Sequence, residues 1–310
     1  MRTTPLSILA GALLLLLPAG LRGQTTTVYN FLRSDVSARA AALAGSFLTV
    51  SDDPDVLFYN PAGLATMTTS RGSAGFFKHL LDINSGHLVY GTSFEDIGHV
   101  AAGILFTNYG SFTEADESGT TGGTFSANDL AFVAGYATTL EENLTIGGSL
   151  KFIYSSIAGY RSTALAVDAG VRYALPNSRA ALAASVRNLG AQLDSYDGAR
   201  EDIPLDVAVG ASVVPRGLPL LLNVGVHRLN DEGDTFADRF RAFTVGAEFT
   251  VSRYVALRVG YDNARRRDLK IGSTAGLAGF SAGLGIAVQT YRIDYALNSL
   301  GKIGNLHRIT

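Results

Sequence analysis

The chain has no cysteine and no tryptophan among its 310 residues. Without cysteine there can be no disulfide, zinc–thiolate centre, thiol nucleophile or lipid-modified N-terminal cysteine. Without tryptophan, any aromatic girdle at a membrane surface must come from the 13 tyrosines and 16 phenylalanines. Charge is also scarce, at 17% of residues, against about a quarter in an ordinary soluble domain. The formal balance is −2, and becomes two units more negative if Arg2 and Arg22 leave with a signal peptide. That balance gives nucleic-acid binding no support. Beyond the first residues, no apolar run is long enough for a membrane helix.

The N-terminus reads as a secretory signal. Arg2 opens it, Leu6 to Leu17 form a short apolar core, and Pro18, Ala19 and Gly20 break that core. The run is too short to cross about 30 Å of hydrocarbon. Cleavage is expected near Gly23–Gln24, delivering the chain to the outer membrane of a Gram-negative bacterium.

What the chain does have is alternation. Phe243, Val245, Ala247, Phe249 and Val251 are apolar, with Thr244, Gly246, Glu248 and Thr250 between them. Leu165 to Tyr173 and Tyr291 to Leu297 keep the same beat. Successive strand side chains point to opposite faces, so each segment has one apolar and one wet face. The pattern marks strands at 71–80, 86–95, 98–108, 128–139, 143–154, 163–174, 179–188, 204–214, 217–229, 239–251, 253–262, 276–288, 290–298 and 305–310. A few such strands suit a soluble sandwich, whereas this many behind a secretion signal suit a barrel with lipid outside. The expected fold is therefore all-β: a transmembrane antiparallel barrel of about 14 strands with a short helical or irregular N-terminal plug. The expected division is signal peptide 1–23, plug 24–69 and barrel 70–310.

The plug segment differs in character from the rest. Ser37 is placed to cap a short helix in an Ala-rich run. Ser51-Asp52-Asp53-Pro54-Asp55 and Asn60-Pro61-Ala62-Gly63 read as turns, the first of them solvated. Segments 109–127, 189–203, 230–238 and 263–275 read as long loops on one rim, and 109–127 as mobile because it is rich in Gly, Ser, Thr and acid. Arg265-Arg266-Arg267 reads as a solvated basic turn. Many glycines fall inside strands, among them Gly103, Gly147, Gly148, Gly170, Gly210, Gly225, Gly246, Gly260, Gly283 and Gly285, mostly on the inward face. Glycine weakens a strand. On the inward face it relieves crowding and lets an inner element approach, although plain curvature of the wall would also account for it.

Catalytic chemistry is hard to find. His79, His87, His99, His227 and His307 show no metal-ligand spacing, and the Gly-x-Ser-x-Gly match at Gly279 to Gly283 lies inside a strand pattern with no helix following, so it is no nucleophile elbow. The Asp52–Asp55 run does not meet the calcium-loop pattern. No cofactor, metal or enzymatic activity is expected. Asp168, Arg172, Asp206, Glu248, Arg258, Arg292 and Asp294 all fall on the polar beat. Charges facing a lumen pair because an unpaired one is expensive, so these should fix the interior and hold a plug. The competing reading is a path for a polar solute.

Three stretches, VYNFLRSDVSARAAALAG (28–45), DDPDVLFYNPAGL (52–64) and the C-terminal RIDYALNSLGKIGNLHRIT, resemble the PorV/PorQ family of outer-membrane proteins associated with type IX secretion. Within these stretches Ser37, Arg39, Asn60, Pro61 and Gly63 mark the plug and turn motif. The resemblance implies a fourteen-stranded barrel similar to the FadL fatty-acid transporters, with the N-terminal region folded into the lumen. It implies a non-enzymatic scaffold or shuttle in type IX secretion. The implied partners are outer-membrane lipid, translocon or attachment-complex proteins, and the C-terminal domains of secreted cargo met through loops 109–127, 189–203 and 263–275. The alternative is a FadL-like channel for hydrophobic small molecules, with an apolar pocket in the barrel and a lateral opening. For that pocket Phe31, Leu43, Phe47, Leu57 and Phe58 are candidates, and they serve equally as a core that packs the plug. An outer-membrane enzyme is the third reading, and no motif carries it.

Overall fold

The computed structural model describes residues 27–115, 118–176, 179–231, 235–270 and 276–310. The signal-peptide expectation lies outside the described residues. Fourteen antiparallel strands follow one another: β1 Arg71–Lys78, β2 Asn84–Phe94, β3 Gly98–Ala115, β4 Thr121–Glu141, β5 Leu144–Ile157, β6 Tyr160–Ala174, β7 Ala180–Asp194, β8 Asp206–Val213, β9 Leu220–Val226, β10 Phe243–Thr250, β11 Val255–Asp262, β12 Phe280–Val288, β13 Tyr291–Ser299 and β14 Asn305–Ile309. Each pairs with its sequence neighbours, and β1 pairs with β14, so the sheet closes. The expectation of an all-β barrel of fourteen strands holds. Among the described residues no helix is long and apolar enough to cross a membrane.

Alternation sets the two faces of the wall. On β10, Val245 and Phe249 are each 42% exposed, whereas Thr244 and Glu248 are buried. The same outward apolar face continues through Leu88, Leu150, Val167, Leu257 and Ile293. A soluble protein does not leave so large an apolar belt in water. A bilayer is the solvent that accepts it, because ladder bonds satisfy the backbone of a closed barrel without water.

Three of the expected loops turn out differently. Segment 109–127 is largely strand: β3 runs to Ala115 and β4 starts at Thr121. The pairs Ser111↔Ser126, Phe112↔Phe125 and Thr113↔Thr124 lengthen the hairpin beyond the wall. Phe112 and Phe125 stack with ring centroids 5.3 Å apart. Cross-strand aromatic and threonine pairs stabilise a hairpin whatever its mean polarity, so its Gly, Ser and acid content is a misleading guide. Within 189–203, β7 continues to Asp194, and the described part of 263–275 holds a helix, Asn263–Asp268.

Residues 27–69 fill the lumen. They form a short helix, Ala38–Ala42, and three 3-10 turns at Asn30–Arg33, Pro54–Phe58 and Pro61–Thr66. The Ser37 side chain accepts from the Ala40 amide at 3.3 Å and so caps the helix. Pro54 and Pro61 open the later turns, where a missing N–H costs nothing. Phe31, Leu43, Phe47, Leu57 and Phe58 are buried together, so these side chains make a core for the plug. Burial of one such side chain contributes about 1.5–3 kcal/mol. The plug lies against the wall where the wall has no side chains. A methyl group on Gly147 would fall 2.5 Å from the Pro61 carbonyl carbon, one on Gly283 2.4 Å from Ala42 Cβ, and one on Gly260 2.6 Å from the Ala44 nitrogen. Gly147, Gly260 and Gly283 thus belong to the seat of the plug.

Candidate functional site

Two plug charges meet four wall charges in a closed circuit. Arg39 stands on the short helix, and Asp53 caps the turn Pro54–Phe58. Arg39 holds Glu248 of β10 with two hydrogen bonds, Nε to Oε2 at 2.8 Å and Nη2 to Oε1 at 2.7 Å. Its Nη1 reaches Asp53 Oδ2 at 2.9 Å. Glu248 also takes Arg258 Nε of β11 at 2.5 Å, and Arg258 Nη1 takes Asp294 Oδ1 of β13 at 2.6 Å. Arg292 closes the ring, with Nε 2.8 Å from Asp294 Oδ2 and Nη2 2.9 Å from Asp53 Oδ2. Three guanidinium groups and three carboxylates therefore alternate around one loop. Strand register places the wall members: Glu248 sits opposite Arg258, and Asp294 opposite Gly285. Gly285 leaves the space that the ring occupies, since a methyl there would stand 2.5 Å from Asp294 Oδ1.

A buried charge is tolerated when every lone pair and proton finds a partner. On the plug side, burial alone would push Asp53 up, but Arg292 and Arg39 outweigh it and hold the carboxyl below its ordinary range. Burial would lower Arg39, and Glu248 and Asp53 reverse that and raise it. The acidic turn is thus solvated only at Ser51 and Asp52, and not throughout as its composition suggests: Asp53 is 0% and Asp55 1% exposed. Asp55 Oδ1 lies 3.0 Å from His87 Nε2. Nor is Arg265 a free basic residue, because its Nη2 reaches into the plug to Asp35 at 3.1 Å.

The remaining expected charges lie on the opposite wall. Arg172 Nε donates to the Thr49 carbonyl at 3.0 Å. Asp168 receives Lys151 Nζ at 2.8 Å, Ser149 Oγ at 3.0 Å and the Asn188 amide at 2.8 Å. Asp206 pairs with Arg187, which also donates to the Phe58 carbonyl at 3.0 Å. Lys151 and Arg187 did not figure in the sequence reading. Both fall on the inward beat, Lys151 with Ser149 and Arg187 with Ser185, and that beat was the available signal.

Asn60 fastens the lower plug. Its Nδ2 donates to the carbonyls of Leu48 at 2.9 Å and Val171 at 3.2 Å, and its Oδ1 accepts from the Ala62 amide at 3.2 Å. Asn60→Ala is expected to cost about 2–3 kcal/mol, from one lost cap and two buried acceptors left unpaired. Urea unfolding in detergent, followed by tyrosine fluorescence, checks this, and a midpoint equal to wild type would contradict it. Pro61 and Gly63 belong to the same turn, with Gly63 packed under Val56.

Two hollows remain. One, of about 400 Å³, lies in the lumen between plug and wall and is lined by Asp35, Arg187, Asp206, His227, Thr244 and Arg265 among others. The second, of about 320 Å³, is an apolar recess across β6–β9, lined by Val171, Leu182, Ala184, Val209, Ala211 and Val224. These side chains stand on the face opposite the lumen-facing Gly210 and Ala183, so the recess faces lipid. Behind it the wall is thin: Leu48 of the plug packs on Ala183 and Ala208, and lies 3.2 Å from where a methyl on Gly210 would be. Among the described residues no group of His, Asp or Glu could hold a metal ion.

No family model and no curated protein matches the chain in sequence. Solved structures do match it in fold. The toluene transporter TbuX of Ralstonia pickettii superposes with a TM-score of 0.60 at 12% identity, covering 88% of this chain and 95% of that one. The toluene transporter TodX of P. putida gives 0.58 at 14% identity, with 88% and 95% covered. A Pseudomonas aeruginosa FadL homologue gives 0.53 at 12% identity, with 93% and 96% covered. At such identities the likeness is one of fold: a FadL-like barrel.

Proposed function

We propose that this chain is an outer-membrane channel for small hydrophobic molecules, closed at rest by its plug. The observation that carries the reading is the apolar recess on the lipid-facing wall of β6–β9, separated from the lumen by a layer of Ala183, Ala208 and Gly210 and by Leu48 of the plug. A hydrophobic solute partitions into such a hollow from the bilayer. The fold it shares with two toluene transporters supports the same assignment. Phe31, Leu43, Phe47, Leu57 and Phe58 are taken up by the plug core, so in this reading the solute meets the protein at the wall and the plug acts as the gate. The scaffold role in type IX secretion rests on resemblance in three stretches of sequence. Those stretches meet inside the barrel, where Arg39, Asp53, Arg292 and Asp294 join them, and that internal contact accounts for their pattern without a partner.

The test is uptake of radiolabelled toluene and of a long-chain fatty acid by a Gram-negative host deleted for its own hydrophobic channel. The full chain should raise uptake severalfold over empty vector. Ala211→Trp, which fills the recess from the lipid side, should return it toward the vector level while the barrel still migrates as folded. Uptake no better than vector for both solutes would sink the proposal.

A further inference from the structure

We infer that the recess on β6–β9 and the rim below it bind one anionic phospholipid of the periplasmic leaflet, with an acyl chain in the recess and the phosphate on Arg179 and Arg216. This goes beyond transport of a hydrophobic solute: the recess is the same, but lipid binding needs no movement of the plug. Register fixes the depth of the recess. Leu182, Ala211 and Val224 lie opposite one another in a single row across β7, β8 and β9, and Val171 lies opposite Ala184. Leu182 is the third residue of β7 and Val171 the fourth from the end of β6, so the recess sits close to the rim where these two strands are joined. That rim has only short connections, at 95–97, 142–143, 175–179, 214–219, 251–254 and 289–290. The other rim carries the connections 195–205, 227–242 and 263–279. In outer-membrane barrels the short connections face the periplasm, so the recess opens into the periplasmic leaflet.

Charge is unevenly spread around this rim. The exposed acids Glu95, Asp96, Glu141 and Glu142 lie where β2 meets β3 and β4 meets β5. From β6 to β13 the four short connections hold no acid, and three of them present an exposed arginine: Arg179, Arg216 and Arg253. Among the described residues no carboxylate pairs with any of the three. Arg253 lies over the Tyr254 ring, 4.6 Å from its centroid. Arg179 and Arg216 stand under the recess, on neighbouring connections joined by the Val214 amide, which donates to the Arg179 carbonyl at 2.7 Å. Arg179 is three residues from Leu182, about 10 Å along a strand. The headgroup layer adds about 5–8 Å beyond the hydrocarbon at each face. The guanidinium groups therefore reach headgroup depth while the recess stays among the chains. Pro215 and Pro219 bracket Arg216 and stiffen its turn. Leu218 beside it is 52% exposed and adds apolar surface at the same edge. Guanidinium groups match phosphate oxygens in geometry and charge, and a hollow lined by aliphatic side chains accepts a hydrocarbon chain. A basic edge under an apolar hollow fits a molecule that is anionic at one end and hydrocarbon at the other, and at this depth the bilayer supplies it.

The test is native mass spectrometry of the full chain in detergent, with palmitoyl-oleoyl phosphatidylglycerol and palmitoyl-oleoyl phosphatidylcholine added in turn. Wild type should prefer phosphatidylglycerol by at least about fivefold, the factor one arginine contributes near an anionic lipid. Arg179→Gln combined with Arg216→Gln should bind the two lipids alike. Arg161→Gln, an exposed arginine at the opposite rim, should keep the wild-type preference. Ala211→Trp should weaken both lipids, because it fills the recess that holds the chain. Where Ala211→Trp fails to fold, the arginine variants carry the test, since their side chains are exposed on short connections. Equal binding of the two lipids by wild type overturns the proposal. So does a preference that survives in the double variant, or one lost equally in Arg161→Gln, which would mark diffuse attraction. Undiminished binding in folded Ala211→Trp overturns it as well, because the chain then lies elsewhere. Toluene uptake is a separate readout: transport without lipid preference sinks only this proposal, and lipid binding without transport sinks only the channel reading.

Discussion

Arg39→Met should release the plug from β10 and from its own acidic turn, and lower stability by about 3–5 kcal/mol, the usual cost of stranding buried partners. Removing Arg39 opens the ion-pair ring at two bonds at once, to Glu248 and to Asp53. Methionine keeps the apolar bulk against Phe47, over whose ring the guanidinium now lies 5.8 Å from the centroid. The barrel ladders do not include residue 39, so the wall should persist while the plug loosens. Single-channel recording should show wild type quiet and the variant conducting, and protease should cut within 27–69 only in the variant. A variant as quiet and as resistant as wild type would show that the ring does not hold the plug. Acid provides a milder form of the same test. Asp53 is held below its ordinary value by Arg292 and Arg39. Its contribution is therefore complete above the unfolded value of about 3.9 and is lost only as pH falls through the lower folded value. Wild type should stay quiet at about pH 5, where an unpaired turn would already begin to titrate.

Gly147→Leu should expel the turn Pro61–Thr66 from its seat. The obstacle is backbone: the added Cβ meets the Pro61 carbonyl carbon at 2.5 Å and the Ala62 amide nitrogen at 2.6 Å, and no rotamer change relieves that. Overpacking of this kind costs about 3 kcal/mol. Gly170, paired across the ladder with Gly147, seats Asn60 in the same way, so the loss should spread to the asparagine contacts. The control is the next residue. A methyl on Gly148 points to the other face and meets only the Asp168 carbonyl at 3.3 Å. Gly148→Ala should therefore leave the unfolding midpoint almost unmoved while Gly147→Leu lowers it and exposes the plug to protease. Equal effects from the two would mean that strand propensity, not the plug seat, explains these glycines.

Much of this architecture was legible because a strand has period two. The strand positions, the inward placement of the glycines and the polar beat carrying Glu248, Arg258, Arg292 and Asp294 all follow from that period. Asp53 was not legible as a buried residue. A run of three aspartates around a proline looks solvated until a helix and two strands bring Arg39, Arg292 and Arg71 to it, and that convergence is a matter of three dimensions. Lys151 and Arg187 lay on the right beat, but one inward charge has no visible partner until register is known. The recess was hidden for a different reason. Val171, Ala184, Val209 and Ala211 are ordinary strand residues, and a hollow appears only when neighbouring strands set small side chains side by side. The hairpin at 109–127 was obscured by composition, since pairing outside the bilayer needs no apolar face.

The closure between β1 and β14 has a consequence for assembly. Only three pairs join these strands, Phe76↔Ile309, Phe77↔Arg308 and Lys78↔His307, against eleven between β2 and β3. This seam spans nearly the whole chain, so it carries the largest loop-closure entropy for the fewest ladder bonds. The plug adds fastenings there: the Ala38 amide donates to Thr310 Oγ1 at 2.8 Å, and Asn298, which accepts from Arg308, donates to the Ala41 carbonyl at 2.7 Å. The N-terminal segment therefore also braces the seam from within. In the finished barrel it ties the last strand, through Thr310 and Asn298, to the helix in the lumen.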